Sequence, residues 1–129
     1  MKKVNTKQME AVLALPGIAR FEHFIKVVVD WQEVWGLYQH GWAQSSTSDG
    51  IIVLPFWPAQ EYAQICAVNE WANYEARKIP LDDFIADVLP KLKLEGVLPG
   101  VFLTPTGQGV TPSIDELIAA LEAELQNYK

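Results

Sequence analysis

The sequence predicts an α+β fold: one domain with a mixed or antiparallel sheet built around a central meander and helices packed on both faces. Three observations predict it. Apolar residues recur at helical spacing near both ends, as Phe21, Phe24, Ile25, Val28 and Trp31, and again as Ile114, Leu117, Ile118, Leu121 and Leu125. Between them, β-favouring residues are punctuated by two turn signals, His40-Gly41 and "STSDG". The 129 residues, 50% hydrophobic and 20% charged, suit one globular core.

The elements follow in order. Asn5 with Gln8 resembles a capping box and opens a short helix carrying Met9, Val12 and Leu13, so residues 1–16 form a helical extension. Pro16-Gly17 breaks it, and a second helix runs from about Ile18 to Asp30. Glu22, Lys26 and Asp30 fall four apart on its polar face, and His23 is assigned to that side. "EVWGLYQHGWAQ" reads as a hairpin turning at His40-Gly41. "STSDG" then leads into "IIVLPFW", where Ile51 to Leu54 is apolar at every position. That pattern predicts a strand buried on both faces, ended by Pro55, which cannot donate to a ladder.

Pro58 fits the first turn of a helix bearing Tyr62, Ala63, Cys66 and Trp71. "YEARKI" reads as a short exposed edge strand. Leu81 to about Leu94 is helical, with Asp82 and Asp83 in the first turn and Pro90 kinking or splitting it. "GVFLT" is a short strand. "PTGQG" is a turn in which Gly107 and Gly109 take positive φ. Ser113 with Glu116 is a second capping box, opening the last helix.

Charge and composition narrow the function. The net charge is -6, and the densest basic groups, Lys2-Lys3 and Lys91 with Lys93, are too small to track phosphates. Neither nucleic acid nor an anionic membrane is an expected partner. No apolar run approaches the roughly 18 residues needed to cross a bilayer. Gln8 and Glu10 interrupt the apolar start, which argues against a secretion signal and for the cytoplasm. Cys66 is the single cysteine, so no intrachain disulfide forms, in keeping with a reducing compartment.

No constellation assembles a catalytic or metal site. His23 and His40 lack companions at metal-ligand spacing, and no cofactor motif is present. "TPTGQGVTPS" lies between strand and helix, where phosphates bind. It lacks the Gly-Lys-Ser/Thr ending of a P-loop, and Asp115 and Glu116 already hold the helix start. The five tryptophans lie between Trp31 and Trp71. Each can bury on the order of 200 Å², so exposing all five would create a patch of about 1,000 Å², more than a monomer tolerates. Most must therefore be buried. Trp42, Trp57, Glu61 and Tyr62 are the candidate binding residues, Glu61 standing four after Trp57 at a helix start. Its plainer role is a favourable first-turn charge.

Taken in order, "FIKVVVDWQEVWGL", "GWA", "LPFWPAQEYA" and "GVFLTPTGQG" resemble bacterial proteins of the domain of unknown function 2750 family, over about residues 21–125. The resemblance implies a small bacterial α+β protein and carries no established activity. In that family's pattern a histidine often follows the Trp-Pro pair; here the position is Ala59, so no histidine role transfers. The resulting expectation is a non-enzymatic cytoplasmic domain that binds another protein. The alternative is a small-molecule module with an aromatic pocket near Trp42, Trp57 and Tyr62. A homodimer paired through the "YEARKI" edge is a further expected partnership.

Overall fold

The computed structural model describes residues 4–105 and 109–127. Asn5 caps α1 (Thr6–Leu13), its side-chain oxygen accepting from the Gln8 N–H at 2.7 Å. Pro16 stands at the N-cap of α2 (Gly17–Trp31), which buries Phe24, Ile25, Val28 and Val29 and leaves Glu22, Lys26 and Asp30 exposed. Two residues of α2 depart from the expected pattern. His23 is not on the polar side: its ring is half-buried, 6.1 Å from that of Phe102. Arg20 is buried, with Nη1 donating to the Leu15 carbonyl at 2.7 Å, and so pins the α1–α2 turn.

Two small sheets follow. β1 (Glu33–Tyr38) pairs antiparallel with β4 (Glu75–Pro80), Val34 opposite Ile79 and Gly36 opposite Arg77. Among the described residues β4 has no other strand neighbour, and it is mostly exposed, as "YEARKI" suggests. β3 (Ile52–Phe56) lies between the two-residue β2 (Ser45–Ser46), antiparallel, and β5 (Leu98–Val101), parallel. Trp35 and Trp57 join the sheets by exchanging backbone N–H···O bonds of 2.9 and 2.7 Å. The turn at His40-Gly41 forms, with His40 at φ 59, but the strand expected after it is reduced to the single bridge Tyr38–Trp42.

Pro55 does not end the pairing. It lies inside β3 opposite Gly100, and the ladder runs on to Phe56. Hydrogen-bonding direction alternates along a strand. Phe56 bonds toward β5 through Phe102 N–H, whereas Ile51 and Trp57 bond toward the opposite edge. Pro55 shares their parity, so its missing N–H points into the gap between the short β2 and the Trp35 bridge, where no ladder partner is lost. The double burial predicted for this strand begins only at Val53; Ile51 and Ile52 remain 41% and 42% exposed beside the exposed β2. Beyond that point both faces are covered. Phe56 meets Phe84 edge-on at 4.9 Å on one face, and Trp57, the next residue, turns to the other.

Pro58 precedes its helix by two residues instead of entering it: α3 is Gln60–Ile65, capped by buried Ala59. Trp71 belongs to a separate 3₁₀ turn, Asn69–Trp71. The Leu81–Glu95 run is continuous, with α4 (Leu81–Asp83) and α5 (Leu89–Glu95) joined by a π-helical stretch, Phe84–Val88. Pro90 explains the stretch. Its ring would crowd the carbonyl four residues back in a regular helix, and the wider turn, with Leu89 N–H bonded to Phe84 O, relieves the clash without breaking the rod. Ser113 and Glu116 form the predicted reciprocal box at α6 (Ile114–Gln126), which buries Ile114, Leu117 and Leu121. All of these elements except the exposed β2 contribute to one hydrophobic core.

The strand predicted at "GVFLT" is displaced toward the N-terminus. It ends at Val101 because Phe102 adopts φ 58, a left-handed conformation costly for a bulky side chain. The Phe102 N–H bond to Phe56 O (2.9 Å) and a 4.7 Å edge contact with Tyr62 hold it there. Gly107 lies outside the described residues. At Gly109 the structure shows a close approach: a Cβ there would fall 2.7 Å from Leu103 Cδ1.

Candidate functional site

The left-handed turn at Phe102 swings the chain so that the Leu103 carbonyl comes over Trp57. That carbonyl accepts the Trp57 indole N–H at 2.9 Å and the Cys66 thiol at 3.4 Å. Trp57 is 0% exposed. Tyr62 is equally enclosed, with no hydrogen-bond partner for its hydroxyl among the described residues. Burial, with the Glu61 charge nearby, pushes the Tyr62 phenol up to about 12. Burial likewise raises the Cys66 thiol to about 11, only partly offset by its hydrogen-bonded neighbour Trp57. Both groups keep their protons at neutral pH. Glu61 stands in the first turn of α3, half-buried, its carboxylate accepting from Val4 N–H at 3.4 Å. Of the four candidate residues, Trp57, Glu61 and Tyr62 thus stand together at the start of α3, and neither Trp57 nor Tyr62 shows a face to solvent.

Trp42 stands apart from them, half-buried just past the His40-Gly41 turn, bridged to Tyr38 of β1. A Cβ on Gly36 would lie 2.9 Å from Trp42 Cε3 and Cζ3, so the absence of a side chain there lets the indole lie directly on the strand. The Tyr38 and Trp42 rings meet in a T-shaped contact with centroids 5.1 Å apart, and the Arg77 guanidinium covers Tyr38 at 3.8 Å from the ring centroid. Trp42 lines a concavity of about 400 Å³. One wall is the β1 turn, with Gln39, His40 and Gln44; the other is the segment following α3, with Glu70, Trp71 and Tyr74. Trp71 is anchored edge-on to Trp57, ring centroids 6.5 Å apart, so the enclosed tryptophan supports one of the two in the concavity.

Of the four candidate residues, Trp42 lines this concavity, and its companions there are Glu70, Trp71 and Tyr74 instead of Trp57 and Tyr62. The sequence pattern puts Trp71 on the helix of Tyr62 and Cys66 and singles out neither Glu70 nor Tyr74. "NEWANY" carried a usable signal: two large aromatics and a carboxylate in a polar segment too irregular to bury them all.

Other concavities are less polar. Ile18, Phe21, Val110 and Pro112 border one of about 620 Å³ between α2 and α6, where Ile18 is 79% exposed. Ile51, Val97, Leu98 and Ile114 border one of about 270 Å³ beside the exposed Lys93–Asp115 ion pair of 2.8 Å. Among the described residues, no three His, Cys, Asp or Glu side chains are grouped to hold a metal ion, and no helix is long and apolar enough to cross a membrane.

Neither a curated protein nor a solved structure matches the chain. A family model described as protein of unknown function, DUF2750, matches residues 21–121. That span reaches from α2 into α6 and contains both the Trp57 corner and the Trp42–Trp71 concavity; the chain belongs to this family.

Proposed function

We propose that this chain is a non-enzymatic domain of the bacterial cytoplasm that acts by binding another protein through the concavity between Trp42 and Trp71. One observation carries the reading: two half-buried tryptophans and a tyrosine line one polar recess, while the neighbouring Trp57 is fully enclosed. Aromatic side chains half-covered by their own fold are the anchors that protein interfaces use most, because they offer large area at little entropic cost. Glu70 lies on the wall, no lysine or arginine among the described residues lines the recess, and the chain carries net charge -6. A partner segment bearing positive charge fits best. The two groups displaced furthest from their ordinary pKa, Tyr62 and Cys66, are held protonated, which suits structural support better than nucleophilic or general-base chemistry.

The test compares capture from one native lysate by the immobilised chain and by its Trp42→Ala/Trp71→Ala double variant. A protein retained by the first and not by the second supports the reading. Retention of the same proteins by both, or of none by either, overturns it. A small-molecule module is the second reading, favoured by a volume of about 400 Å³, which suits a small ligand. Tryptophan emission that no member of a metabolite panel shifts would remove it.

A further inference from the structure

β4 is an open edge of its sheet among the described residues, and the bonds around it fix which of its backbone groups point outward. Trp35 stands opposite Lys78 and exchanges its bonds with Trp57, away from β4. Bonding direction alternates along a strand, so Glu75, Arg77 and Ile79 bond inward to β1, while Ala76 and Lys78 turn their N–H and C=O groups outward. The next pair in the register agrees, since Leu81 N–H donates to the Gln32 carbonyl at 3.0 Å. Pro80 has no N–H to offer, and the Tyr74 N–H is taken by the Trp71 carbonyl at 3.0 Å. Among the described residues, no bond outside the β1 ladder reaches the N–H of Ala76 or Lys78. Two such donors in a row are a template for one more strand.

The side chains indicate which strand. Residues two apart share a face, so the exposed Glu75 and Arg77 lie on one side of β4 and Ala76, between them, on the other. Opposite charges thus flank a small residue symmetrically. In an antiparallel pair related by a two-fold axis, one residue faces its own copy and every other pairing follows from it. Centred on Ala76, the row sets Glu75 opposite Arg77 of the second copy, twice, and Lys78 opposite Tyr74. Centred on Glu75, Arg77 or Lys78, it sets like charges face to face, which is unfavourable. The Lys78 centre also puts Pro80 opposite Ala76, where a donor is needed.

We propose that β4 pairs antiparallel with β4 of a second copy about a two-fold axis at Ala76, joining two two-stranded sheets into one of four strands. The Ala76 N–H and C=O groups of the two copies bond to each other, and the Lys78 N–H of each faces the Tyr74 carbonyl of the other. Two strands alone are marginal in water, and four hold better. Lysine and proline commonly keep an edge single. This register accommodates both, because Lys78 meets no like charge and Pro80 lies beyond the last bond. A second copy suits the edge better than an unrelated strand because the charge pattern is complementary to itself.

The test is analytical ultracentrifugation of the whole chain from about 1 μM to about 1 mM, comparing dimer dissociation constants across variants. Glu75→Arg and Arg77→Glu each set like charges opposite one another twice and should weaken the dimer about 10-fold or more. The double variant Glu75→Arg/Arg77→Glu restores opposite charges in this register and should recover most of the affinity. Ala76→Pro deletes the central donors without removing a bond to β1 and should leave a monomer. If that variant fails to fold, amide exchange in the wild type carries the same test: Ala76 and Lys78 should exchange more slowly at high concentration than at low. A chain that stays monomeric throughout the range overturns the proposal. So does a dimer that Ala76→Pro and the single reversals leave equally tight, since its contact lies on another face. A double variant no tighter than the singles overturns the register centred on Ala76. None of the substituted residues lines the Trp42–Trp71 recess, so this result is separate from that of the lysate capture.

Discussion

Trp57 and Trp42 are the same residue type on strand-derived segments that lie side by side, and their surroundings assign them opposite roles. Trp57 has both faces covered and its N–H satisfied by the Leu103 carbonyl. Trp42 has one side filled by the bare backbone of Gly36 and remains half-buried at the edge of a recess. A tryptophan with every face and its donor satisfied contributes to stability. One with a ring edge left open offers that surface for binding. Substitutions at the two corners should therefore separate folding from recognition.

The largest effect should come from Trp57→Ala. It removes the bulk of an enclosed indole, leaves the Leu103 carbonyl only its Cys66 contact, and takes the support from under Trp71. A loss of about 3–5 kcal/mol in urea unfolding is expected. A loss below about 1 kcal/mol would mean that this corner does not carry the core.

Alkaline pH should attack the same corner. Burial raises Cys66 from its ordinary 9.0 to about 11 and Tyr62 from 10.0 to about 12, so the unfolded chain releases these protons first. Stability attached to each group is intact below its unfolded value and is lost as pH rises, across 9–11 for Cys66 and 10–12 for Tyr62. The loss is on the order of 2–3 kcal/mol per group at most. Urea midpoints at pH 8 and 10.5 should fall less for Cys66→Ala than for the wild type; equal falls would show that the thiol is not held protonated.

Gly36→Ala sharpens the comparison from the other side. The added methyl lands 2.9 Å from the Trp42 ring and must push it into the recess. A cost of about 1–3 kcal/mol and a shift in tryptophan emission are expected. An unchanged spectrum would show that Trp42 is not seated on the strand. The smallest effect belongs to Tyr62→Phe. Its hydroxyl is buried without a partner among the described residues, so deletion should be neutral or slightly stabilising. A loss above about 1 kcal/mol in thermal unfolding would reveal a hydrogen bond at that hydroxyl.

Local chemistry was legible without a structure wherever neighbours along the chain complete it. The Ser113–Glu116 box and the Asn5 cap close over three residues, and α2 and α6 bury faces that their spacing announces. The turn before Ile51 was legible too: Thr47 Oγ1 accepts from Asp49 and Ile51 N–H, and Gly50 takes φ 85. Less legible were positions whose conformation is imposed from elsewhere. Phe102 reads as a strand residue by propensity, and contacts made far along the chain, with Phe56, Tyr62 and His23, surround it in its left-handed conformation. Pro55 reads as a strand end until the direction of its missing N–H is known.

The candidate site divides along the same line. The sequence by itself determined the main helices, their caps and core faces and the α+β class, because these follow from spacing along one chain; it overstated the burial of the tryptophans, of which Trp57 is buried and Trp31, Trp35, Trp42 and Trp71 are half-buried. Tertiary structure decided which tryptophan is fully enclosed and which two line the recess. That outcome depends on a glycine opposite Trp42, a carbonyl delivered to Trp57 by a turn in a later segment, and a 3₁₀ turn that brings Trp71 beside both. The contacts of Trp57 with Leu103 and Trp71 join distant parts of the chain that no local pattern encodes, whereas Gly36 meets Trp42 across the His40-Gly41 turn.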